Sequence, residues 1–359
     1  MTRVPAAFEF ATASRIVFGA GKSSEIPAAA RSLGRRPLLV ASAARWRHLL
    51  LEAEVVFDVH GEPTVDVARE GAALARAEQC DVVVSIGGGS AIDAGKAIAA
   101  LTANPGDVLD YLEVIGRGQP LSQRPLSFIA VPTTSGTGAE VTRNAVLGSP
   151  VDCVKASLRN LMMLPTLAIV DPELTRTLPR DVAAYTGLDA LTQLIEPLVS
   201  VSANPMSDMA ARQGLAAATP GIRTLDREAM AQASLCSGMA LANSGLGAVH
   251  AFAAAIGGMF PWAPHGAICA ALLAPVMRGN IAALRARDPR GPALRRYEEV
   301  PDVDWVEETV KLLEIRPLSH YGVDLGRAAE IVAGAQAASS MKGNPIELTA
   351  KELRFILLR

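Results

Sequence analysis

Hydrophobic residues in the first half of the chain fall into short continuous runs that alternate with segments of mixed polarity. Such runs, rich in valine, leucine and isoleucine, are typical of strands buried on both faces of a parallel sheet. The order strand, helix, strand predicts a doubly wound parallel sheet. The predicted strands are 15–18, 37–41, 55–59, 81–86, 127–132 and 168–172, and the predicted helices of this part are 65–79 and 91–101.

The pattern changes after about Leu174. The strand-like runs stop, and helical segments rich in alanine, leucine and methionine continue to the end of the chain. We therefore predict an α/β domain over 1–174 and an all-helical domain over 175–359. Thr349 and Glu352 form a capping box that opens the last helix.

Charge and composition exclude two classes of partner. The 359-residue chain has a formal net charge of −2 and no basic stripe, so we expect no nucleic acid partner. Residues 233–260 contain no Asp, Glu, Lys or Arg, which resembles a membrane span. Because they include Asn243, His250 and many small residues, a buried helix pair is the favoured interpretation and no membrane partner is expected.

Cysteine usage and the first residues indicate a cytoplasmic protein. The cysteines are Cys80, Cys153, Cys236 and Cys269, and none of them shows C-x-x-C spacing. Scattered cysteines of this kind favour free, reduced thiols over disulfides. The first ten residues have no long apolar segment, so we expect no signal peptide.

Two loops at the ends of predicted strands indicate nucleotide binding. The turn Gly87, Gly88, Gly89 and Ser90 follows a strand and opens a helix, and glycines there let backbone N–H groups approach a diphosphate. The loop 132–140 also follows a strand and combines hydroxyls with glycines. An ordinary strand-to-helix turn and a polar capping loop are the alternatives, but two such loops together favour a nucleotide.

Three distant residues indicate a metal site. Asp189, His250 and His265 lie in apolar surroundings, and the chain has only five histidines. One carboxylate and two imidazoles are ligands that divalent transition metals accept. A metal beside a nucleotide suggests carbonyl polarisation combined with hydride transfer.

Taken together, four motifs resemble the iron-dependent (group III) alcohol dehydrogenase family over nearly the whole chain, and the short chain resembles its maleylacetate reductase-like branch in particular. The motifs are 87–93, 132–138, 189–192 and 264–266. The resemblance implies a dehydroquinate synthase-like architecture: an α/β nucleotide-binding domain, an all-helical metal-binding domain and an active site in the cleft between them.

The resemblance also implies a set of metal ligands. By position these are Asp189, Gln193, His250 and His265, with His250 and His265 as the catalytic histidines and Fe²⁺ as the expected ion, or Zn²⁺ or Mn²⁺. The family usually has a histidine at the position of Gln193, and often a further histidine at the position of Ala254. A glutamine carbonyl is a weaker donor than imidazole, so a metal-free helix residue is the alternative interpretation of Gln193.

The predicted cofactor site follows from the same motifs. Members that prefer NAD commonly carry an acidic residue at the position of Ser42, and Arg45 nearby could pair with a 2′-phosphate. NADPH is therefore predicted, with NADH as the alternative. The predicted cofactor-binding residues are Ser42, Gly87, Gly88, Gly89, Ser90, Asp93, Thr133, Thr134, Thr137 and Lys155.

We predict a homodimeric NAD(P)H-dependent reductase that converts a small aldehyde or ketone to the alcohol. Arg143, Arg159 and Lys342 suggest a substrate with an anionic group, although surface roles explain them equally well. Two alternatives remain open. One is a lyase related to dehydroquinate synthase, and the other is a nucleotide-binding pseudoenzyme that has lost its metal.

Overall fold

The chain forms two structural units. The computed structural model describes residues 7–50, 53–152 and 154–359, so Cys153, the first six residues and the Arg45 side chain lie outside the described part. One unit comprises Ala11–Thr134 and Gly138–Thr177. The other comprises Leu178–Arg359, together with 7–10 and Ser135–Thr137.

The α/β unit is built on a six-stranded parallel sheet with the strand order β1-β8-β5-β4-β2-β3. The central strands are continuous apolar runs because helices cover both faces of such a sheet. Every residue of β4 is buried. The strands of this unit are β1 (Ile16–Phe18), β2 (Pro37–Ala41), β3 (Val55–Asp58), β4 (Val82–Gly87), β5 (Ser127–Pro132), β6 (Asn144–Ser149), β7 (Val154–Arg159) and β8 (Leu167–Val170).

The helices of the α/β unit are α1 (Ile26–Leu33), α2 (Val65–Ala77), α3 (Gly89–Ala103) and α4 (Val108–Tyr111). Both predicted helices are present. Helix α2 begins where the Thr64 side chain accepts a hydrogen bond from Val67 N. It ends two residues before the predicted limit because Gln79 adopts a left-handed backbone with φ 53°.

The sequence patterns did not predict β6 and β7, which form an antiparallel hairpin. Two side chains of α3 hold this hairpin. Lys96 Nζ donates to Asn144 O at 2.7 Å and to Thr142 Oγ1 at 2.8 Å, and Val146 N donates to Asp93 Oδ2 at 3.0 Å. Lys96 and Asp93 also pair with each other at 3.3 Å. Both groups therefore have structural partners in this unit.

Helices are the only regular secondary structure among the described residues of the second unit, which confirms the predicted fold class. Helix α13 opens with the predicted capping box, in which Thr349 N donates to Glu352 Oε2 at 2.8 Å. The helices are α5 (Arg180–Val199), α6 (Pro205–Thr224), α7 (Arg227–Ser244), α8 (Ala248–Met259), α9 (His265–Arg287), α10 (Pro292–Arg296), α11 (Val303–Leu312), α12 (Ala328–Ala337) and α13. Helix α13 spans Ala350–Leu357.

Helices α7, α8 and α9 are strongly apolar because they build the core of this unit. Among the described helices, α9 alone is long and apolar enough to cross a membrane, and 67% of its apolar window is buried inside the protein, as in a core helix. Helices α7 and α8 pass the same test only as a pair bent by 96°. The uncharged segment 233–260 covers the second part of α7 and the whole of α8, in agreement with the predicted pair of buried helices.

Candidate functional site

Four potential metal ligands converge in the helical unit. Asp189 on α5, His250 on α8, and His265 and Cys269 on α9 each offer a ligand atom, and these atoms all lie within 4.8 Å of one another. Asp189 Oδ1 lies 3.3 Å from His250 Nε2 and 3.8 Å from His265 Nε2. Cys269 Sγ lies 3.6 Å from His265 Nε2 and 3.9 Å from His250 Nε2. The structure thus brings three of the four predicted ligands together and adds Cys269.

Local sequence explains how α9 reaches this position. The helix begins at His265 after Pro264, and His265 and Cys269 share one face because they are four residues apart. Gly266 lets α9 approach the α5 backbone closely, since a Cβ there would lie 2.5 Å from Tyr185 O. The Pro-His-Gly turn therefore places His265 beside Asp189.

One carboxylate oxygen of the cluster lacks a hydrogen bond. Asp189 is 2% exposed, and its Oδ1 makes no hydrogen bond within the described residues. A buried carboxylate oxygen without a partner is costly, whereas a cation would satisfy it. Together with two imidazoles and a thiol, this oxygen forms a donor set that fits a divalent transition metal.

Glu196 fixes the orientation of His250. Its Oε2 lies 2.7 Å from His250 Nδ1, and its Oε1 accepts a hydrogen bond from Val249 N at 2.7 Å. An ionised carboxylate only accepts hydrogen bonds, so His250 Nδ1 carries the proton. Nε2 is then the ring nitrogen that faces the cluster and that a metal would bind in place of a proton, as in metal-binding histidines whose other nitrogen donates to a carboxylate.

The charges of the cluster favour a cation. Burial acts to raise the pKa of the Asp189 carboxyl, but His265 and His250 outweigh it and hold that pKa below its ordinary value. Burial acts to lower the pKa of His250, yet Cys269, Glu196 and Asp189 raise it well above its ordinary value. Cys269 has the largest influence on the pKa of His265, which is also raised. The site therefore stabilises positive charge inside the unit.

Gln193, the fourth predicted ligand, is held by another helix. Its side chain is buried one turn after Asp189 on α5, and Ser237 Oγ on α7 donates to Gln193 Oε1 at 3.0 Å. Ser237 Oγ also lies 2.8 Å from Ser234 O. Its role as a ligand stays a prediction. Ala254, at the position where the family often has a further histidine, is exposed on α8.

The sequence patterns did not indicate Cys269 as a member of this cluster. The cysteine is completely buried and lies one helical turn after His265. Histidine and cysteine four residues apart on one helix face are a possible ligand pair, and this spacing was the available signal. The three described cysteines, Cys80, Cys236 and Cys269, are free, as the sequence predicted.

The glycine turn lies at the carboxyl end of the parallel sheet. Helix α3 begins at Gly89, with Gly88 as its N-cap. Gly87 has no room for a side chain, because a Cβ there would lie 2.6 Å from Ser42 Oγ and from Ala91 Cβ. Thr133 N donates to Gly87 O at 2.9 Å, and this hydrogen bond holds the two predicted loops side by side. Free N–H groups at the start of α3 suit a phosphate.

The remaining predicted cofactor residues lie in different surroundings. Thr134 contacts the same turn, since a Cβ on Gly88 would lie 3.3 Å from Thr134 Cγ2. Thr137 belongs to the segment that groups with the helical unit. Lys155 on β7 pairs with Glu62 at 3.2 Å. Ser42, Gly87 and Thr133 are thus close together, whereas Asp93 and Lys155 have structural partners of their own.

Comparisons with known proteins agree with this geometry. Residues 13–172 match the model of the iron-containing alcohol dehydrogenases, and residues 183–359 match that of the C-terminal part of the Fe-containing alcohol dehydrogenase family. A 4-hydroxybutyrate dehydrogenase from Cupriavidus necator is 34% identical over 351 residues, which cover 90% of this chain and 91% of that enzyme.

Solved structures give the same result. A 1,3-propanediol oxidoreductase superposes with a TM-score of 0.87 at 31% identity, covering 98% of this chain and 99% of the other. A maleylacetate reductase from Agrobacterium tumefaciens superposes with a TM-score of 0.79 at 25% identity, covering 98% of this chain and 97% of the other. The resemblance inferred from the motifs is therefore confirmed, and the chain belongs to the iron-containing alcohol dehydrogenase family of oxidoreductases.

Proposed function

We propose that this protein interconverts a small aldehyde or ketone and its alcohol, using a divalent metal and a nicotinamide cofactor. The observation that carries the proposal is the convergence of Asp189, His250 and His265 around a buried carboxylate oxygen that no described residue satisfies with a hydrogen bond. Donors of this kind are built to hold a divalent ion. The chain's family membership supports the same chemistry.

The residues of the site have separate tasks. A bound divalent ion supplies Lewis-acid polarisation of a carbonyl oxygen, and a reduced nicotinamide supplies the hydride. Asp189, His250 and His265 would hold the ion, and Glu196 holds the proton on His250 Nδ1 so that Nε2 stays available. His265 keeps 37% of its side chain exposed whereas Asp189 and His250 are buried, so the cluster is open on the His265 side.

The cofactor proposal rests on the carboxyl end of the sheet. The turn from Gly87 to Ser90 and the start of α3 would bind the diphosphate. Ser42, directly after β2, is uncharged and would not repel a 2′-phosphate, so we propose NADPH in preference to NADH.

For the substrate we propose a small carbonyl compound with an anionic group. Two of the similar proteins are named for 4-hydroxybutyrate and maleylacetate, both of which carry carboxylates. Of the candidate cations, Arg159 already pairs with Glu113 at 3.5 Å. Each of the three candidate cations is tested by its own substitution, Arg143→Gln, Arg159→Gln or Lys342→Gln, with substrates that carry a carboxylate and with substrates that do not. A cytoplasmic homodimer is proposed as the working form.

The proposed function is tested by following the absorbance of NADPH and NADH. The protein is stripped with a chelator, reloaded with Fe²⁺, Zn²⁺ or Mn²⁺, and given matched aldehydes with and without a carboxylate. We expect turnover only after reloading. If neither cofactor is oxidised with any carbonyl compound while nucleotide binding persists, the pseudoenzyme interpretation replaces this one.

We expect Glu196→Gln to weaken metal binding by about 10–100-fold, the usual effect of losing an outer-shell partner. The amide can still accept from Val249 N, but its NH₂ group then faces His250 Nδ1 and favours the tautomer with the proton on Nε2. Calorimetric titration with Zn²⁺ measures the affinity, and NMR of the imidazole nitrogens reports the tautomer. Unchanged affinity together with an unchanged tautomer would contradict the positioning role of Glu196.

We expect Ser42→Asp to lower the ratio of kcat/KM for NADPH to that for NADH by about tenfold or more. A carboxylate at this position would repel the 2′-phosphate, and ~1.4 kcal/mol corresponds to a factor of ten. Ser42→Asn has nearly the same shape without the charge and serves as the control. Steady-state kinetics with both cofactors measures the ratio, and equal effects of the two substitutions would show that charge at this position does not select the cofactor.

A further inference from the structure

We propose that Cys269 supplies the fourth ligand of the metal site, so that this chain holds its ion with one carboxylate, two imidazoles and one thiolate. The inference rests on the proposed function, because it presumes that the ion binds at Asp189, His250 and His265. It goes beyond the ligand set that the motifs imply, in which Gln193 takes the fourth place.

Four distances between the clustered ligand atoms are close to those of a tetrahedral site, and the remaining pairs lie within 4.8 Å. Ligand atoms about 2.0–2.3 Å from one ion, at tetrahedral angles, lie about 3.3–3.6 Å apart. His250 Nε2 lies 3.3 Å from Asp189 Oδ1, and Cys269 Sγ lies 3.6 Å from His265 Nε2. The pairs His265 with Asp189 at 3.8 Å and Cys269 with His250 at 3.9 Å are only slightly wider. Small side-chain shifts would therefore complete the coordination.

The surroundings of Cys269 favour a ligand role over a packing role alone. The residue is completely buried, and its sulfur lies beside both imidazoles and the unpartnered oxygen of Asp189. Cys236 on α7 provides a contrast, since it is also buried in this unit but packs against α6, where Gly214 makes room for it. Both cysteines belong to the apolar core of this unit, but of the two only Cys269 lies among potential metal ligands.

Gln193, the fourth predicted ligand, is less well placed than Cys269 to bind the ion. Gln193 Oε1 already accepts a hydrogen bond from Ser237 Oγ on α7 at 3.0 Å, so that oxygen has a partner in the protein. An amide oxygen is also a weaker donor than thiolate for a late transition metal. Cys269 would therefore compensate for the histidine that the family usually has at the position of Gln193.

A thiolate changes the chemistry of the bound ion. The charges of Asp189 and Cys269 together balance those of a divalent cation, whereas Asp189 with three neutral ligands would leave one positive charge. Sulfur also selects thiophilic metals, so we expect Zn²⁺ or Co²⁺ to be held in preference to Mn²⁺.

The test uses the full chain stripped of metal and reloaded with Co²⁺, a probe that shows a near-ultraviolet charge-transfer absorption when a thiolate binds it. We expect this band in the wild type, in Cys236→Ser and in Gln193→Ala. Cys269→Ser should lose the band and bind Co²⁺ more weakly by at least the ~10–100-fold that loss of an outer-shell partner costs. Cys269→Ala, checked by circular dichroism, serves as a second variant in case the serine protein fails to fold.

The outcomes separate the two proposals. A wild type that binds one Co²⁺, lost on Asp189→Asn, without a charge-transfer band overturns the role of Cys269 and leaves the metal-dependent function intact. A band that persists in Cys269→Ser, or affinity lost in Gln193→Ala and kept in Cys269→Ser, also overturns it. A wild type that binds neither Co²⁺, Zn²⁺ nor Fe²⁺ overturns both proposals.

Discussion

Asp189→Asn is expected to remove the bound metal and to lower kcat/KM by about 10²–10⁴-fold. Asp189 is the only carboxylate among the four clustered residues that could bind a metal, and its Oδ1 has no hydrogen-bond partner within the described residues. A neutral amide keeps the shape but removes the charge that balances the cation. The kinetic range corresponds to the several kcal/mol that a Lewis-acid metal supplies, at ~1.4 kcal/mol for each factor of ten.

The matched control is Asp181→Asn, the same substitution on the same helix. Asp181 lies in the first turn of α5 and is exposed, so its replacement should change neither metal content nor turnover. Elemental analysis after gel filtration gives the metal content, and NADPH oxidation gives the rate. If Asp189→Asn retains metal and rate at the level of Asp181→Asn, the cluster is not the reaction centre and the proposed function is wrong.

The parallel sheet was predictable from the sequence because its central strands can be recognised from their own residues, without knowledge of what they pack against. Strands β2 and β5 are apolar runs flanked by polar residues, and their predicted bounds are those observed. The hairpin of β6 and β7 was missed because its strands are partly exposed and contain Gly148 and two serines, which weaken a strand pattern. Such a hairpin depends on what it packs against, in this case the Asp93 and Lys96 side chains of α3.

The candidate site was predictable only in part, because two of its residues acquire a role only through contacts with distant segments of the chain. Asp189, His250 and His265 are uncommon residues in apolar segments, so each was visible by itself. Cys269 looks like any small core residue until α9 is folded beside α5 and α8. Glu196 likewise gains its role only through the contact with His250, 54 positions away in the chain. Neither of these contacts between distant residues produces a recognisable pattern in the local sequence.

Gly266→Ala is expected to disrupt the metal site from outside the set of ligands. A Cβ at this position would lie 2.5 Å from the carbonyl oxygen and 2.9 Å from the carbonyl carbon of Tyr185, so α9 must move away from the α5 backbone. His265, the preceding residue, would move with it and away from Asp189. We expect metal affinity to fall by about tenfold or more, by analogy with losing an outer-shell partner. Overpacking should also cost ~1–3 kcal/mol of stability.

Gly279→Ala on the same helix is the control: it separates the displacement of His265 from the general effect of adding a methyl group to α9. A Cβ at Gly279 would also make short contacts, but with Cδ1 and Cγ1 of the buried Ile356 side chain and not with the backbone of another helix. Thermal unfolding, at ~2–4 °C per kcal/mol, should therefore show a loss of stability for both variants, and metal affinity distinguishes them. Zn²⁺ titration should show weakened binding only for Gly266→Ala. Equal metal affinities in the two variants would mean that the close approach of α9 to α5 serves packing alone and does not position His265.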